Sequence, residues 1–407
     1  MAGWTETLVT GGRSATVLRR AHCAATDLQA MRRLAADLGE EPLALVILFA
    51  SPAAHPESLP ARAAVAFPGT PVIGCSTAGE ISPEGYAEDE IVAIGLPAAY
   101  FVADPILIPD LSDLDRDNLI ARLIRSRQAL VRARPDWSSE FAFVLVDGLS
   151  TREDALTWAL ASGLGPVPLF GGSAGDGTRF RETFVFHEGC ARRNAAVVTF
   201  VRTACPIRVF NLDHLRPTDL RMVVTEADPA RRIVRRINAE PAAFEYARIL
   251  GKDPGQLTTF TFAAHPVVVR IGGKHHVRSI QRMLPNGDLV FFSAIDEGLV
   301  LTLAEPEDMV EHLDRELSRL AERGAPEAIL GCDCILRRIE AQDNQQFGRI
   351  SGLLRKHRVV GFSTYGEQLG AMHVNQTLTG VAIYPPMADP DTRDSASRPL
   401  PTGRAPQ

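Results

Sequence analysis

The sequence has very little lysine: 3 Lys stand beside 40 Arg among its 407 residues, and the formal net charge is −6. The arginines are scattered along the chain, and the densest group, "RRIVRR" at 231–236, has the charge spacing of one solvated helix face. This pattern has none of the electrostatic footprint of a surface for nucleic acid or an anionic membrane. We therefore expect neither nucleic acid nor a membrane among its partners.

Long apolar runs and paired cysteines are also missing. No stretch approaches 18 uninterrupted apolar residues, and "LALVILFA" at 43–50 has the length of a buried strand. The chain begins without a basic segment followed by an apolar one, so we expect no secretory signal. The six cysteines include no C-x-x-C, and Cys332 and Cys334 have a poor spacing for zinc. We expect a reduced, cytoplasmic protein.

One nonapeptide occurs in two similar copies, "VIGCSTAGE" at 72–80 and "VVGFSTYGE" at 359–367. A third and looser copy is "PLFGGSAGDG" at 168–177. Strand and helix patterns surround each copy in the order strand, helix, strand, glycine turn, strand. Repetition of this order indicates a mixed α/β architecture. The repeat predicts that three glycines occupy equivalent corners: Gly74, Gly171 and Gly361.

The segment from about 206 to 300 has a different character. It contains strand patterns, a helix signal at "EPAAFEYARIL", and hairpin signals at "GGK" and "PNGD". We predict a more β-rich insertion here, in the C-terminal half of a two-domain protein. The predicted boundaries are an N-terminal segment at 1–40, domains at 41–205 and 206–386, and a disordered tail at 387–407, where Pro, Ser, Arg and Asp show no apolar period.

Seven segments taken in chain order carry a resemblance to a known family: "VIGCSTAGEIS", "LFGGSAGDG", "VVTEADP", "EPAAFEYARILG", "VRSIQR", "AIDEGLVLTLA" and "VVGFSTYGEQLGAMHVNQTLTGVAIY". Together they resemble the FIST family, with a FIST N domain followed by a FIST C domain, over about residues 40 to 385. The resemblance implies a sensory module for a small ligand. Such modules are often encoded beside histidine kinases or cyclic-di-GMP enzymes in bacteria.

A two-domain chain of this kind is similar to the nitric-oxide-sensing FIST proteins, which hold haem b and regulate a partner histidine kinase. The resemblance therefore implies haem b as cofactor and a gas as ligand. The alternative within the family is a sensor of another small ligand, such as an amino acid. A homo-oligomer is left open.

The sequence has no C-x-x-C-H, so any haem would be held by an axial side chain without a covalent link. His214 in "NLDHLRPTD" is the first candidate for the axial iron ligand, because the resemblance places an H-x-x-P-T segment there. His373 and then His187 follow, and the thiolate of Cys205 is a further alternative. The competing interpretation of each is structural: a histidine bonded to a turn, or a buried cysteine.

Two sets of residues are candidates for ligand contacts. Arg270 and Arg278 flank "GGKHH" and could pair with haem propionates or another carboxylate, or be exposed strand arginines. The repeated turns and the segment after the last of them could line a polar pocket, or only cap nearby backbone. This second set is Ser76, Thr77, Glu80, Ser173, Ser363, Thr364, Glu367, His373 and Asn375.

An enzyme is the rival class. "GGSAG" fits G-x-S-x-G with Ser173 as nucleophile, but that motif needs a strand, a turn and then a helix, and here loop and strand follow. Cys75 is replaced by Phe362 and Gly172 in the other copies, which favours a packing role. Walker A, G-x-G-x-x-G and output-domain signatures are missing from the sequence. We predict a sensor without catalytic activity that acts through a partner, the alternative being a small-molecule hydrolase that uses Ser173 or Cys75.

Overall fold

The computed structural model describes residues 16–386, apart from residues 272 and 323. Two units of similar order come first. The first unit comprises β1 (Arg19–Ala24), α1 (Ala30–Leu38), β2 (Leu43–Ala50), α2 (Leu59–Ala66), β3 (Val72–Ser76), β4 (Glu80–Ser82), β5 (Gly85–Ala87) and β6 (Glu90–Pro97). The second comprises β7 (Phe101–Ile108), α3 (Arg116–Ala133), β8 (Ser139–Val146), α4 (Glu153–Leu164), β9 (Leu169–Ser173), β10 (Val185–His187), β11 (Cys190–Arg192) and β12 (Ala196–Thr203).

A third unit begins with β13 (Ile207–Leu212) and is interrupted by an insertion. The insertion contains β14 (Leu215–Asp228), β15 (Ile233–Ile237), β16 (Glu240–Pro241), α5 (Ala242–Leu250), α6 (Thr259–Ala264), β17 (Val267–Ile271), β18 (Lys274–Val277), β19 (Ile280–Met283), β20 (Leu289–Phe291) and β21 (Val300–Pro306). The unit then continues with α7 (Met309–Leu320), β22 (Ala328–Cys334), α8 (Ile335–Asp343), α9 (Phe347–Lys356), β23 (Val359–Thr364), β24 (Glu367–Leu369), β25 (Met372–Val374) and β26 (Leu378–Ile383).

The three units build their sheets in the same way. A parallel pair joined through helix lies at the centre: β2 with β3, β8 with β9, and β22 with β23. The last strand of each unit returns antiparallel to the first strand of the pair, and β1, β7 or β13 pairs antiparallel on its outer side. The predicted mixed α/β fold with repeated units is confirmed.

Each unit passes its hairpin to the sheet of another unit. The β4–β5 hairpin of the first unit extends the third sheet beside β23, and β10–β11 of the second extends the first sheet beside β3. The β24–β25 hairpin of the third unit extends the second sheet beside β9. The three units are therefore closed into a ring by exchanged strands, with six strands in each of the three sheets.

The inner faces of the three sheets share one apolar core. Phe49 of β2 stacks on Phe362 of β23 with ring centroids 4.4 Å apart, and Cys75 lies in the same core. Helices α1 and α2, α3 and α4, and α7 and α9 cover the outer faces of the first, second and third sheets. Layered burial of this kind is the main stabilising term of an α/β fold. The packing role predicted for positions 75 and 362 is confirmed.

The glycines of the repeat occupy the third position of β3, β9 and β23, so their predicted equivalence is confirmed. They lie inside strands, not at the corners that follow. A Cβ built on Gly74, Gly171 or Gly361 would fall far inside contact distance of a carbonyl oxygen on the neighbouring parallel strand. The close approach of the two strands excludes any side chain at these positions.

The insertion forms its own sheet, in the order β18-β17-β21-β14-β15-β20-β19, which packs on α5 and α6. The predicted β-rich insertion is thus confirmed. The prediction of a helix face at 231–236 is wrong, because Ile233–Ile237 is the strand β15. Buried Ile233, Val234 and Ile237 pack in the core of the insertion or at its edge, and β-branched residues favour a paired strand.

The predicted domain boundary at 205/206 falls between β12 and β13. The predicted tail at 387–407 lies outside the described residues, as do residues 1–15 of the predicted N-terminal segment. Among the helices described, none is long and apolar enough to cross a membrane.

Candidate functional site

A cavity of about 440 Å³ opens beyond the carboxyl ends of β2 and β3. This end of parallel strands is where open α/β sheets place their ligands. All three units contribute to the walls: three connecting segments of the first unit, the 176–179 loop of the second, and α8 of the third. The lining residues are Ser51, Pro52, Ala53, Thr77, Ala78, Gly79, Glu80, Glu88, Asp89, Asp176, Gly177, Thr178, Arg179, Ile335, Arg338, Ile339 and Gln342.

The turn between β3 and β4 supplies one wall of the cavity. The Thr77 hydroxyl donates a hydrogen bond to the Glu80 carboxylate, and the backbone N–H of Glu90 donates to its Oε2 at 3.2 Å. Burial raises the pKa of Glu80 to about 7, against the opposing effect of these two hydrogen bonds. The carboxyl group at the cavity wall therefore changes its charge near neutral pH.

Arg338 of α8 fastens the third unit to this turn. Its guanidinium donates to the carbonyl oxygens of Ala87 at 2.8 Å and Glu80 at 3.3 Å, and it contacts Glu88 Oε1 at 3.2 Å. Gly79 has a φ of +132°, which favours glycine, and a Cβ built there would lie 2.5 Å from Arg338 Nη1. One arginine therefore holds the cavity wall of the first unit against a helix of the third.

The cavity contains charges of both signs. Asp89 accepts a hydrogen bond from the Ser51 hydroxyl at 3.1 Å. Asp176 accepts from the backbone N–H groups of the 180–182 segment at 2.8 to 3.0 Å and from the Tyr365 hydroxyl, so it shapes the loop that carries Arg179. The walls therefore carry both carboxylates and guanidinium groups, which match a small polar ligand that has both kinds of charge.

The second repeated turn has the same hydrogen bonds but a different location. Glu367 accepts from the hydroxyls of Thr364 and Thr377, the latter at 2.7 Å, and from the Thr377 backbone N–H at 3.3 Å. Burial raises the pKa of Glu367 to about 8. Glu367 and Thr364 are fully buried and do not line the cavity. Both turns therefore cap nearby backbone, and the first also contributes to the cavity wall.

Other predicted pocket residues form a separate buried polar cluster. The Gln368 side-chain amide lies 2.9 Å from Ser173 Oγ and 3.0 Å from His373 Nδ1, and Arg278 donates to the His373 carbonyl oxygen at 3.3 Å. Asn375 accepts from the hydroxyl of Ser293, which belongs to the insertion. This cluster joins the insertion to the ring of units.

The remaining predicted residues are dispersed. Ser76 Oγ accepts from the Phe184 N–H at 3.0 Å, and Ser363 is buried at the end of β23. Arg270 lies on the sheet of the insertion and lines a different cavity, so it does not share a site with Arg278. Sequence reasoning missed Arg338 and Asp89, because a helical arginine and a loop aspartate have no motif of their own.

The residues around His214 do not fit a haem iron. Its Nε2 lies 2.9 Å from Glu340 Oε1, and its Nδ1 accepts from Arg337 Nη1 at 2.9 Å. Arg337 in turn donates to Asp333 Oδ1 at 2.8 Å. Both ring nitrogens are engaged in a buried ionic network, so neither is free to coordinate a metal. Among the described residues, His, Cys, Asp and Glu form no group of three that could hold a metal ion.

The two predicted nucleophiles also lie away from the cavity. Burial raises the pKa of the Cys75 thiol well above its usual value, because the side chain is enclosed in the central core. Ser173 is fully buried at the end of β9 and accepts a hydrogen bond from Gln368. The strand, turn and strand that contain it differ from a nucleophile elbow.

These features define a pseudo-threefold α/β protein with a polar cavity between its units. Residues 44–240 match the FIST N domain, and residues 242–369 match the FIST C domain. The chain belongs to the FIST family. FIST domains are signal-transduction sensor domains that bind small ligands. Curated proteins give no match to the chain.

Proposed function

We propose that this protein is a sensor that binds a small polar molecule in the cavity between its units and reports occupancy to a partner protein. The observation that carries the proposal is the origin of the walls: the Thr77–Glu80 turn, the Arg179 loop and α8 come from three different units. A ligand that contacts all three walls favours one relative placement of the units over another. That difference in affinity is what converts binding into a signal.

The chemistry of the cavity supports a compact, zwitterionic ligand. Its volume of about 440 Å³ lies within the usual range for small-molecule sites. Arg179 matches a carboxylate and Asp89 matches an ammonium group, while Arg338 and Glu88 pair with each other in the same wall. A free amino acid combines both groups in one small molecule.

A more specific proposal is that the protein binds haem b and senses nitric oxide. The resemblance to nitric-oxide-sensing FIST proteins is what supports it. The hydrogen-bond network around His214 gives haem no further support. A histidine kinase or a cyclic-di-GMP enzyme is the partner that the same resemblance favours.

The test is a ligand screen with a matched pair of cavity variants. Free amino acids are screened by thermal shift, and hits are quantified by calorimetry. Gln342→Trp places an indole in the cavity, whereas Asp343→Trp makes the same kind of change on the next exposed residue of α8, outside the lining. We expect Gln342→Trp to abolish binding and Asp343→Trp to retain it. Equal binding by both variants, or no hit in the screen, would overturn the assignment of the cavity to an amino acid.

A further inference from the structure

One face of four neighbouring strands in the insertion, β18, β17, β21 and β14, carries a group of basic residues. Arg221 is directly opposite Thr302, which is in turn opposite Val268. Arg270 is two residues beyond Val268, and His275 is directly opposite Arg270. Side chains that are opposite each other, or two residues apart on one strand, lie on the same face of a sheet. The register therefore places Arg221, Arg270 and His275 on one face.

The same face has an exposed apolar part. Met222 and Leu301 point to the other side of the sheet and pack in the core of the insertion. Val223 is opposite Val300. This pair is two residues along the strands from the Arg221–Thr302 pair, so it lies on the same face as Arg221. Val223 keeps 36% of its surface exposed and Val300 keeps 47%. Basic and apolar groups are therefore adjacent and accessible.

A concavity of about 490 Å³ lies on this face. Between Pro217 and Arg221, β14 advances four residues while β21 advances only two, so β14 bulges outward. The Thr218 hydroxyl donates to the Leu303 carbonyl oxygen at 2.8 Å and holds the bulge against the sheet. The concavity is lined by Pro217, Thr218, Arg221, Val269, Arg270, Ile271, His275, Gly298, Leu299, Val300 and Thr302.

The charge in this concavity is not balanced. Its described lining contains three basic side chains and no carboxylate. Within the described residues, Arg221, Arg270 and His275 make no side-chain hydrogen bond or ion pair. Other exposed arginines of the insertion do: Arg235 lies 3.6 Å from a carboxylate oxygen of Glu226. Unpaired guanidinium groups on both sides of a concavity favour an anion between them.

We propose that this face of the insertion binds a small organic oxyanion joined to an apolar group. Arg221 and Arg270 stand two strands apart and two residues out of line, about 12 Å between Cα atoms at the usual spacings, which long arginine side chains can span to meet one carboxylate or phosphate head. The apolar group lies on Val223 and Val300, which are opposite each other on this face. This site is separate from the cavity between the units and does not depend on the function proposed for that cavity.

Calorimetric titration with benzoate and with phenyl phosphate tests the proposal, and inorganic phosphate measures the contribution of the head group alone. We expect saturable binding of at least one aromatic anion, with a Kd of about 1 mM or tighter. The double variant Arg221→Gln/Arg270→Gln should weaken that binding at least tenfold. The control Arg235→Gln/Arg236→Gln removes the same charge from another strand of the insertion and should leave it unchanged. Val300→Ser should lower phenyl phosphate binding to the level of inorganic phosphate.

Three outcomes would overturn the proposal. The first is no saturation of the wild-type protein by either aromatic anion. The second is an equal loss in both double variants, which would mean diffuse charge attraction. The third is full binding by Arg221→Gln/Arg270→Gln. Circular dichroism and the melting temperature show that each variant is folded, and the preferred probe distinguishes a carboxylate ligand from a phosphate ligand.

Discussion

Glu80 and Glu367 are structural equivalents: each carboxylate accepts a hydrogen bond from the threonine three residues before it and from the backbone N–H ten residues after it. Both are buried, and burial raises the pKa of Glu80 to about 7 and that of Glu367 to about 8. Only Glu80 reaches the cavity between the units. The same local geometry therefore adjoins the cavity in one copy and lies away from it in the other.

These two groups should make stability depend on pH. Their pKa values are raised above the ordinary 4.5, so the folded chain keeps protons that the unfolded chain has released. The free energy of unfolding should fall as pH rises from about 5 to 8, and Glu80→Gln and Glu367→Gln should each flatten that fall. Urea midpoints between pH 5 and 8 measure it. Glu311→Gln, an exposed change on α7, should leave the slope as in the wild type, and an unchanged slope in both test variants would contradict the prediction.

The repeated glycines should tolerate no side chain. Gly361→Ala places a methyl group against the Gly331 carbonyl oxygen of the paired strand, and we expect a loss of about 3 kcal/mol or more. Gly352→Ala on α9 meets nothing within 4 Å and should stabilise the helix by about 0.5–1 kcal/mol. Urea denaturation compares the two variants. A Gly361→Ala protein as stable as the wild type would show that the strands can separate at this point.

Removal of Arg338 should loosen the cavity wall. Arg338→Met leaves the carbonyl oxygens of Ala87 and Glu80 without their donor, for an expected loss of about 2 kcal/mol. Arg338→Lys should restore little, because a single ammonium group does not reproduce the guanidinium fork. The melting temperature and the affinity for any ligand found in the screen should both be lower in the two variants than in the wild type. The exposed Arg349 of α9 offers the matched control Arg349→Met, for which no change is expected.

His214→Ala should act on stability and not on haem. Its removal takes the hydrogen-bond partner from the buried Glu340 carboxylate and the acceptor from Arg337 Nη1, while Arg337 keeps its ion pair with Asp333, and we expect a loss of about 3 kcal/mol. Absorption spectra of wild type and variant supplied with haem, with melting temperatures, measure both effects. We expect the variant to melt lower and to keep whatever Soret band the wild type has. Loss of the band with unchanged melting would restore His214 as the axial ligand, and exposed His275→Ala is the control for stability.

The repeat could be predicted because a close contact between two backbones requires glycine at the same position of each copy. Gly74, Gly171 and Gly361 survive where the surrounding residues have diverged, since the facing carbonyl oxygen admits no side chain. The exchange of hairpins left no comparable trace. The strands β4, β10 and β24 have three residues each, too few for a period that would indicate which sheet they join.

The candidate site was predicted only in part for a related reason. Thr77 and Glu80 line the cavity, and they could be predicted because they belong to the repeated turn. Arg338 reaches that turn from a helix of another unit, and its position depends on long-range packing. His214 depends on long-range packing in the same way: its two ring nitrogens are bonded by residues more than a hundred positions away, which no local segment can indicate.

The exchanged hairpins also determine when the protein can finish folding. Ile81 of β4 pairs with Gly361, so its partner is synthesised about 280 residues later (361 minus 81). At translation rates of roughly 5–20 residues per second, the β4–β5 hairpin waits roughly 15–60 s for its sheet. The edge of β9 waits in the same way for β24. During synthesis the first two units therefore present open strand edges, the kind of surface on which nascent chains aggregate and chaperones act.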